Sequence, residues 1–188
     1  MKRLKTVAAS VMACAMLFSF TGCSSFKVID DEDIFFDALE KTVNVDKDDT
    51  LHEKDFDING DKAEYLIFDV EGDNYYTYIR FKDEDDALDF FDQINQDFDD
   101  ILDDKEFEGS HSSSMTKTRG YLVFDGEVEG ENSMHFYHMN QRFFEDTEIF
   151  GGVYVNKNVY IEVYSTNGSK RDKEKVTKLL KELGFPKP

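Results

Sequence analysis

The dipeptide Asn59-Gly60 is the strongest constraint on the fold of this chain. Phe56 and Ile58 precede it and Tyr65 to Val70 follow it. Both turn residues accept positive φ, as a type I′ turn between two strands requires. A second turn, Glu71-Gly72-Asp73-Asn74, leads into Tyr75 to Phe81. The three runs read as an antiparallel meander.

A long helix is expected next, from Glu84 to Leu102. Ala87, Leu88, Phe91, Ile94, Phe98, Ile101 and Leu102 recur at three- and four-residue steps, the spacing of one helix face. An earlier helix opens at Asp30 to Asp33, with Ile34, Phe35, Ala38 and Leu39 on one side. A closing helix starts at Ser169-x-x-Asp172, buries Val176, Leu179, Leu180 and Leu183, and stops at Gly184 and Pro186. Further strands are expected at Tyr121 to Val128, Met134 to Met139, Val153 to Val155 and Val159 to Tyr164. The polar stretch Lys105 to Lys117, with Gly109-Ser110-His111-Ser112-Ser113-Ser114 inside it, reads as a mobile loop.

Strands and helices segregate along the chain, so the expected fold class is α+β, an antiparallel sheet with helices packed on one face. The long helix lacks Lys and Arg from Asp83 to Asp104, whereas the closing helix carries Lys170, Arg171, Lys173, Lys175, Lys178 and Lys181. Side by side on one sheet face, these two helices would attract. Tyr65-Leu66-Ile67-Phe68-Asp69 also resembles Tyr121-Leu122-Val123-Phe124-Asp125, which raises a duplicated ββα unit against the plainer alternative of shared strand chemistry.

The chain has 188 residues, 14% of them aromatic, with 22 Lys and Arg against 41 Asp and Glu. The aromatic content speaks against disorder. The net charge of −19 excludes a nucleic-acid partner bound by phosphate neutralisation.

Residues before Cys23 have the build of an export signal. Lys2, Arg3 and Lys5 precede an uncharged apolar run, Val7 to Phe20, of 14 residues, shorter than the about 20 needed to span a bilayer as a helix. Phe20-Thr21-Gly22-Cys23-Ser24-Ser25 resembles the lipobox of bacterial lipoproteins of the Gram-positive type, with Phe20 in place of the usual Leu and Thr21 in place of Ala or Ser. The resemblance implies cleavage before Cys23, a diacylglycerol on its thiol, and a body anchored to the outer face of the cytoplasmic membrane. It covers the first eighth of the chain and implies nothing for the rest. The expected division is a signal peptide over 1–22, a lipidated tether over 23–29 and one extracytoplasmic domain over 30–188. Cys14 would leave with the signal, so no disulfide would remain. The mature chain would carry 19 − 41 = −22, so anionic headgroups would repel it and the lipid alone would hold it.

Candidate sites are few. Asp55, Asp57, Asn59 and Asp61 fit the opening half of an EF-hand-type calcium loop, but Leu66 stands where the bidentate Glu belongs. The hairpin uses the same Asn-Gly and accounts for more of its neighbours. His135 and His138, three apart on an expected strand, would point to opposite faces. G-x-S-x-G, S-x-x-K, H-E-x-x-H and Walker A patterns do not occur, and Gly151-Gly152 reads as a bulge or turn. Tyr76, Tyr78, Tyr160 and Tyr164 would form an aromatic platform if they shared a face left open by the helices; the alternative is cross-strand packing. The expected function is non-catalytic binding, without a cofactor, of a protein partner at the cell surface. The alternative is a calcium- or cation-responsive module built on the Asp55–Asp61 loop.

Overall fold

The computed structural model describes residues 26–188 except 59, 131, 138–140 and 144–146. The fold is α+β, with a seven-stranded antiparallel sheet and three α-helices among the described residues. Helix α1 (Glu32–Val43) is capped by Asp31, whose carboxylate accepts the Asp33 N–H at 2.9 Å. Strands β1 (Leu51–Ile58), β2 (Asp61–Glu71) and β3 (Asn74–Phe81) form the expected meander, followed by α2 (Glu84–Asp103). Strands β4 (Phe107–Met115) and β5 (Arg119–Val128) come next, then a small hairpin of β6 (Asn132–Met134) and β7 (Gln141–Phe143). Strands β8 (Thr147–Asn156) and β9 (Val159–Ser165) and helix α3 (Lys170–Leu183) complete the fold. The sheet order is β1-β2-β3-β9-β8-β5-β4.

The helices cover both faces of the sheet, which corrects the expectation of one. Phe35, Phe36 and Leu39 of α1 and Val176, Leu179 and Leu180 of α3 pack with Tyr76, Tyr78, Ile161 and Val163. Phe91, Ile94 and Phe98 of α2 pack on the opposite face with Leu66, Ile79, Leu122, Tyr160 and Tyr164. The reason lies in the central strands. Val159, Ile161 and Val163 of β9 are apolar on one side, but the alternating Tyr160 and Tyr164 are fully buried on the other. A sheet apolar on both sides needs two covers. The acidic α2 and the basic α3 are therefore separated by the sheet and do not pair. Lysines of α3 meet acids of the sheet instead, Lys173 with Asp125 at 2.8 Å and Lys175 with Glu71 at 2.6 Å.

The expected loop over Lys105–Lys117 is largely strand β4, paired with β5 from Phe107↔Val128 to Met115↔Gly120. Its serines are exposed because it is an edge strand lying beyond the helical cover. Gly151 and Gly152 lie mid-strand in β8, in unbroken register with both β5 and β9, rather than in a turn.

The two echoing pentapeptides do not mark a repeat. In an all-antiparallel sheet of this order β2 and β5 run the same way, with β1 and β4 on opposite outer sides. A rotation carrying β1-β2 onto β4-β5 must turn the sheet over, so matched residues would face opposite ways. Instead Tyr65 and Tyr121 share the α1/α3 face, and Leu66 and Leu122 share the α2 face.

The packed body begins before the expected boundary at residue 30. Phe26 and Ile29 are buried, 5% and 1% exposed, with the Phe26 ring edge-on to Phe185 at 5.2 Å and to Tyr154 at 6.0 Å. Two residues of the expected tether, Phe26 and Ile29, are thus core.

Candidate functional site

The Asp55–Asp61 segment is a tight hairpin. Asp57↔Lys62 and Ile58↔Asp61 close the β1–β2 ladder around the turn, Gly60 has φ +107°, and residue 59 lies outside the described residues. The Asp57 carboxylate accepts the Gly60 N–H at 2.8 Å and the Lys62 ammonium at 2.7 Å. The Lys62 hydrogen bond, with that from Gly60, holds the Asp57 carboxyl below its usual range. Asp55 turns to Lys82 at 3.0 Å. Asp55 and Asp57 of the candidate calcium loop thus meet lysines and a turn amide, and Asp61 faces the acid Asp86. Among the described residues no three His, Cys, Asp or Glu are grouped to hold a metal. Replacing Asp57 by Ala is therefore expected to leave the response of the melting temperature to calcium unchanged. A calcium shift that disappears in the variant would restore the loop as a binding site.

The four tyrosines do not make a platform. Tyr76 and Tyr78 are buried beneath α1 and α3, and Tyr160 and Tyr164 beneath α2. Their alternation was legible, but aromatic side chains gave no sign of which face would be covered. His135 hydrogen-bonds Asp97 of α2 through Nδ1 at 2.8 Å. His138 and Cys23 lie outside the described residues.

Two polar clusters escaped sequence reasoning. Glu162 is completely buried in β9, on the α2 side of the sheet. Its carboxylate accepts the Thr77 hydroxyl at 2.8 Å, the Tyr137 backbone N–H at 2.7 Å and the Tyr160 hydroxyl at 2.8 Å. Desolvation outweighs these bonds and pushes its carboxyl up to about 7. The one signal was a lone acid within Val159-Tyr160-Ile161-Glu162-Val163-Tyr164.

The second cluster surrounds the β2–β3 turn. Asp69↔Tyr76 and Glu71↔Asn74 are cross-strand pairs. Asp69 Oδ2, Glu71 Oε2, Asn74 Oδ1 and the Tyr76 hydroxyl are buried without a hydrogen-bond partner. Lys175 neutralises the other oxygen of Glu71, and the Asn74 amide donates to Asp172 at 3.0 Å. Burial, with Glu71 beside it, raises the Asp69 carboxyl. Hard oxygens of this kind suit a water or a small cation, and the Lys175 ammonium already supplies one positive charge.

An antiparallel sheet sandwiched between a helix pair and a single helix, open along its two edges β1 and β4, is the architecture these residues define. No family model, no curated protein and no solved structure matches the chain.

Proposed function

We propose that the protein is an exported lipoprotein, held by acyl chains on Cys23 at the outer face of the cytoplasmic membrane, whose α+β body binds a protein partner without catalysis. The observation that carries this reading is the sequence Phe20-Thr21-Gly22-Cys23 behind an uncharged apolar run and a basic start. The packed body supports it by starting at Phe26, three residues beyond Cys23, which is a reach of at most about 11 Å. The body therefore rests on the membrane surface. Among the described residues strands β1 and β4 each pair on one side only, and such edges receive an extended segment of a partner by strand addition.

Fractionation and mass spectrometry test the anchor. The mature protein is expected in the membrane fraction with an N-terminal diacylglyceryl-cysteine, and Cys23→Ala is expected to remove the acyl mass and the membrane retention together. Equal membrane retention of the variant would overturn the reading. Cross-linking on intact cells then identifies the partner.

A further inference from the structure

We propose that Asp69, Glu71, Asn74 and Tyr76 hold a calcium ion between the β2–β3 hairpin and the first turn of α3, at a site separate from the Asp55–Asp61 loop and independent of the lipid anchor. Strand pairing brings the four side chains together. Asp69 lies opposite Tyr76 and Glu71 opposite Asn74, and residues two apart on a strand share a face. All four therefore stand on the side covered by α1 and α3, where Tyr76 packs. Along that face of β2 the row Tyr65, Ile67, Asp69, Glu71 changes from apolar to acidic.

Each of the four contributes one buried oxygen that nothing in the fold satisfies: Asp69 Oδ2, Glu71 Oε2, Asn74 Oδ1 and the Tyr76 hydroxyl. Asn74 and Tyr76 are themselves completely buried, so bulk water does not serve them, and buried polar atoms without partners are rare and costly. Only the phenol brings a hydrogen of its own, and one hydrogen satisfies one acceptor. A cation satisfies all four at once. The charge also fits. Burial first, and then the carboxylates of Glu71, Asp69 and Asp172, push the Tyr76 phenol up, so the neutral phenol oxygen lies in the field of all three acids. Asp49 adds a fourth acid beside Asp69. Against them stand Lys175, which binds Glu71 Oε1 at 2.6 Å and leaves Oε2 free, and Arg171, which acts on Asp172. Two negative charges remain, the charge of one divalent cation.

The oxygens are held in place without the ion. The Asn74 amide donates to Asp172 at 3.0 Å and to the Glu71 carbonyl at 3.3 Å, which fixes the direction of Oδ1. The turn between the strands is pinned from β9 and the segment after it: the Thr166 N–H donates to the Asp73 carbonyl at 2.9 Å and the Asn167 amide to the Asp73 carboxylate at 2.9 Å. Little ordering is left for binding to cost. Two carboxylates, an amide oxygen and a phenol oxygen suit calcium, which accepts six to eight hard oxygens in irregular geometry, better than magnesium, which demands a near-ideal octahedron. Asp69 and Glu71 are only half-buried, so water can complete the shell from their open side. The set needs no third acid, and among the described residues no trio of acids marks the place.

The test is the melting temperature of the full chain, stripped with EDTA and then given calcium chloride or magnesium chloride, together with terbium luminescence. Calcium at about a hundred times its dissociation constant is expected to raise the melting temperature by about 5 °C or more, and magnesium to raise it far less. The chain has no Trp, so terbium in this site would be sensitised by tyrosine, and calcium is expected to displace it. Asp69→Asn and Tyr76→Phe remove one ligand each and leave the shape of the side chain nearly unchanged. Both are expected to melt at or above the wild-type temperature in EDTA, since each removes a group that is buried at a cost, and to lose most of the calcium shift. Tyr76→Phe is also expected to lower the terbium signal several-fold. Asp57→Ala is expected to keep shift and signal alike. No calcium shift, an equal shift with magnesium, or a shift that survives in both Asp69→Asn and Tyr76→Phe would overturn the site. So would a shift lost in Asp57→Ala, which would assign the ion to the β1–β2 loop.

Discussion

Glu162→Gln is expected to make the protein more stable above neutral pH and to flatten its pH dependence. Burial raises the folded-state carboxyl to about 7 from an ordinary value of 4.5. Below the ordinary value both folded and unfolded chains hold the proton, and above about 7 neither does. Between the two the folded chain holds it and the unfolded chain releases it, so stability falls as pH rises through that window. The integrated loss is about 3 kcal/mol, or roughly 10 °C in melting temperature for a domain of this size. The glutamine oxygen can still accept from the Tyr137 N–H and the Tyr160 hydroxyl, and its amide can donate to Thr77, as the protonated acid would. Thermal melts from acid to alkaline pH check this. A wild-type slope that persists unchanged in the variant would show that Glu162 is not the titrating group. Glu162→Ala is expected to be destabilising at every pH, by about 3 kcal/mol or more, because it strands three buried donors.

The elements of this fold were legible wherever a local rule decided them. Asn59-Gly60 marked the β1–β2 hairpin, the Ala87–Leu102 spacing marked α2, and Ser169 and Gly184 bracketed α3. What failed depended on the sheet as a whole. β4 reads as a loop because its serines are small and polar, yet an edge strand needs only one partner and no apolar face. Tyr160, Glu162 and Tyr164 resembled an outward-facing row, because alternation shows that a strand has two sides and not that both are covered. The sheet order placed β9 at the centre, and there even an acid must be buried. Phe26 reads as tether by its nearness to Cys23, whereas the partners that make it part of the body, Tyr154 and Phe185, lie more than a hundred residues away.

Gly151→Ala is expected to be the most damaging single-methyl change in the sheet. Gly151 sits mid-strand in β8 with φ +144°, and a Cβ built on it would stand 2.2 Å from the Val163 carbonyl oxygen and 2.5 Å from the Tyr164 Cα. Both obstacles are backbone of β9, so no rotamer change can relieve them, and β8 would have to move away from a strand it pairs with along its length. That movement would also disturb Tyr164, whose ring stacks on Phe136 at 4.2 Å and on Tyr75 at 4.9 Å. A cost of about 4 kcal/mol or more follows from the steric overlap and the disfavoured backbone acting together. Gly72 is the mild counterpart, in a left-handed backbone region that L residues can enter. It also has positive φ, +63°, but a Cβ there would meet nothing within 4 Å, so Gly72→Ala should cost only about 1 kcal/mol, the left-handed backbone penalty alone. Chemical denaturation of the two variants side by side measures the difference. Equal losses would overturn the expectation that the close approach of β8 to β9, together with the backbone at φ +144°, makes position 151 the costlier one.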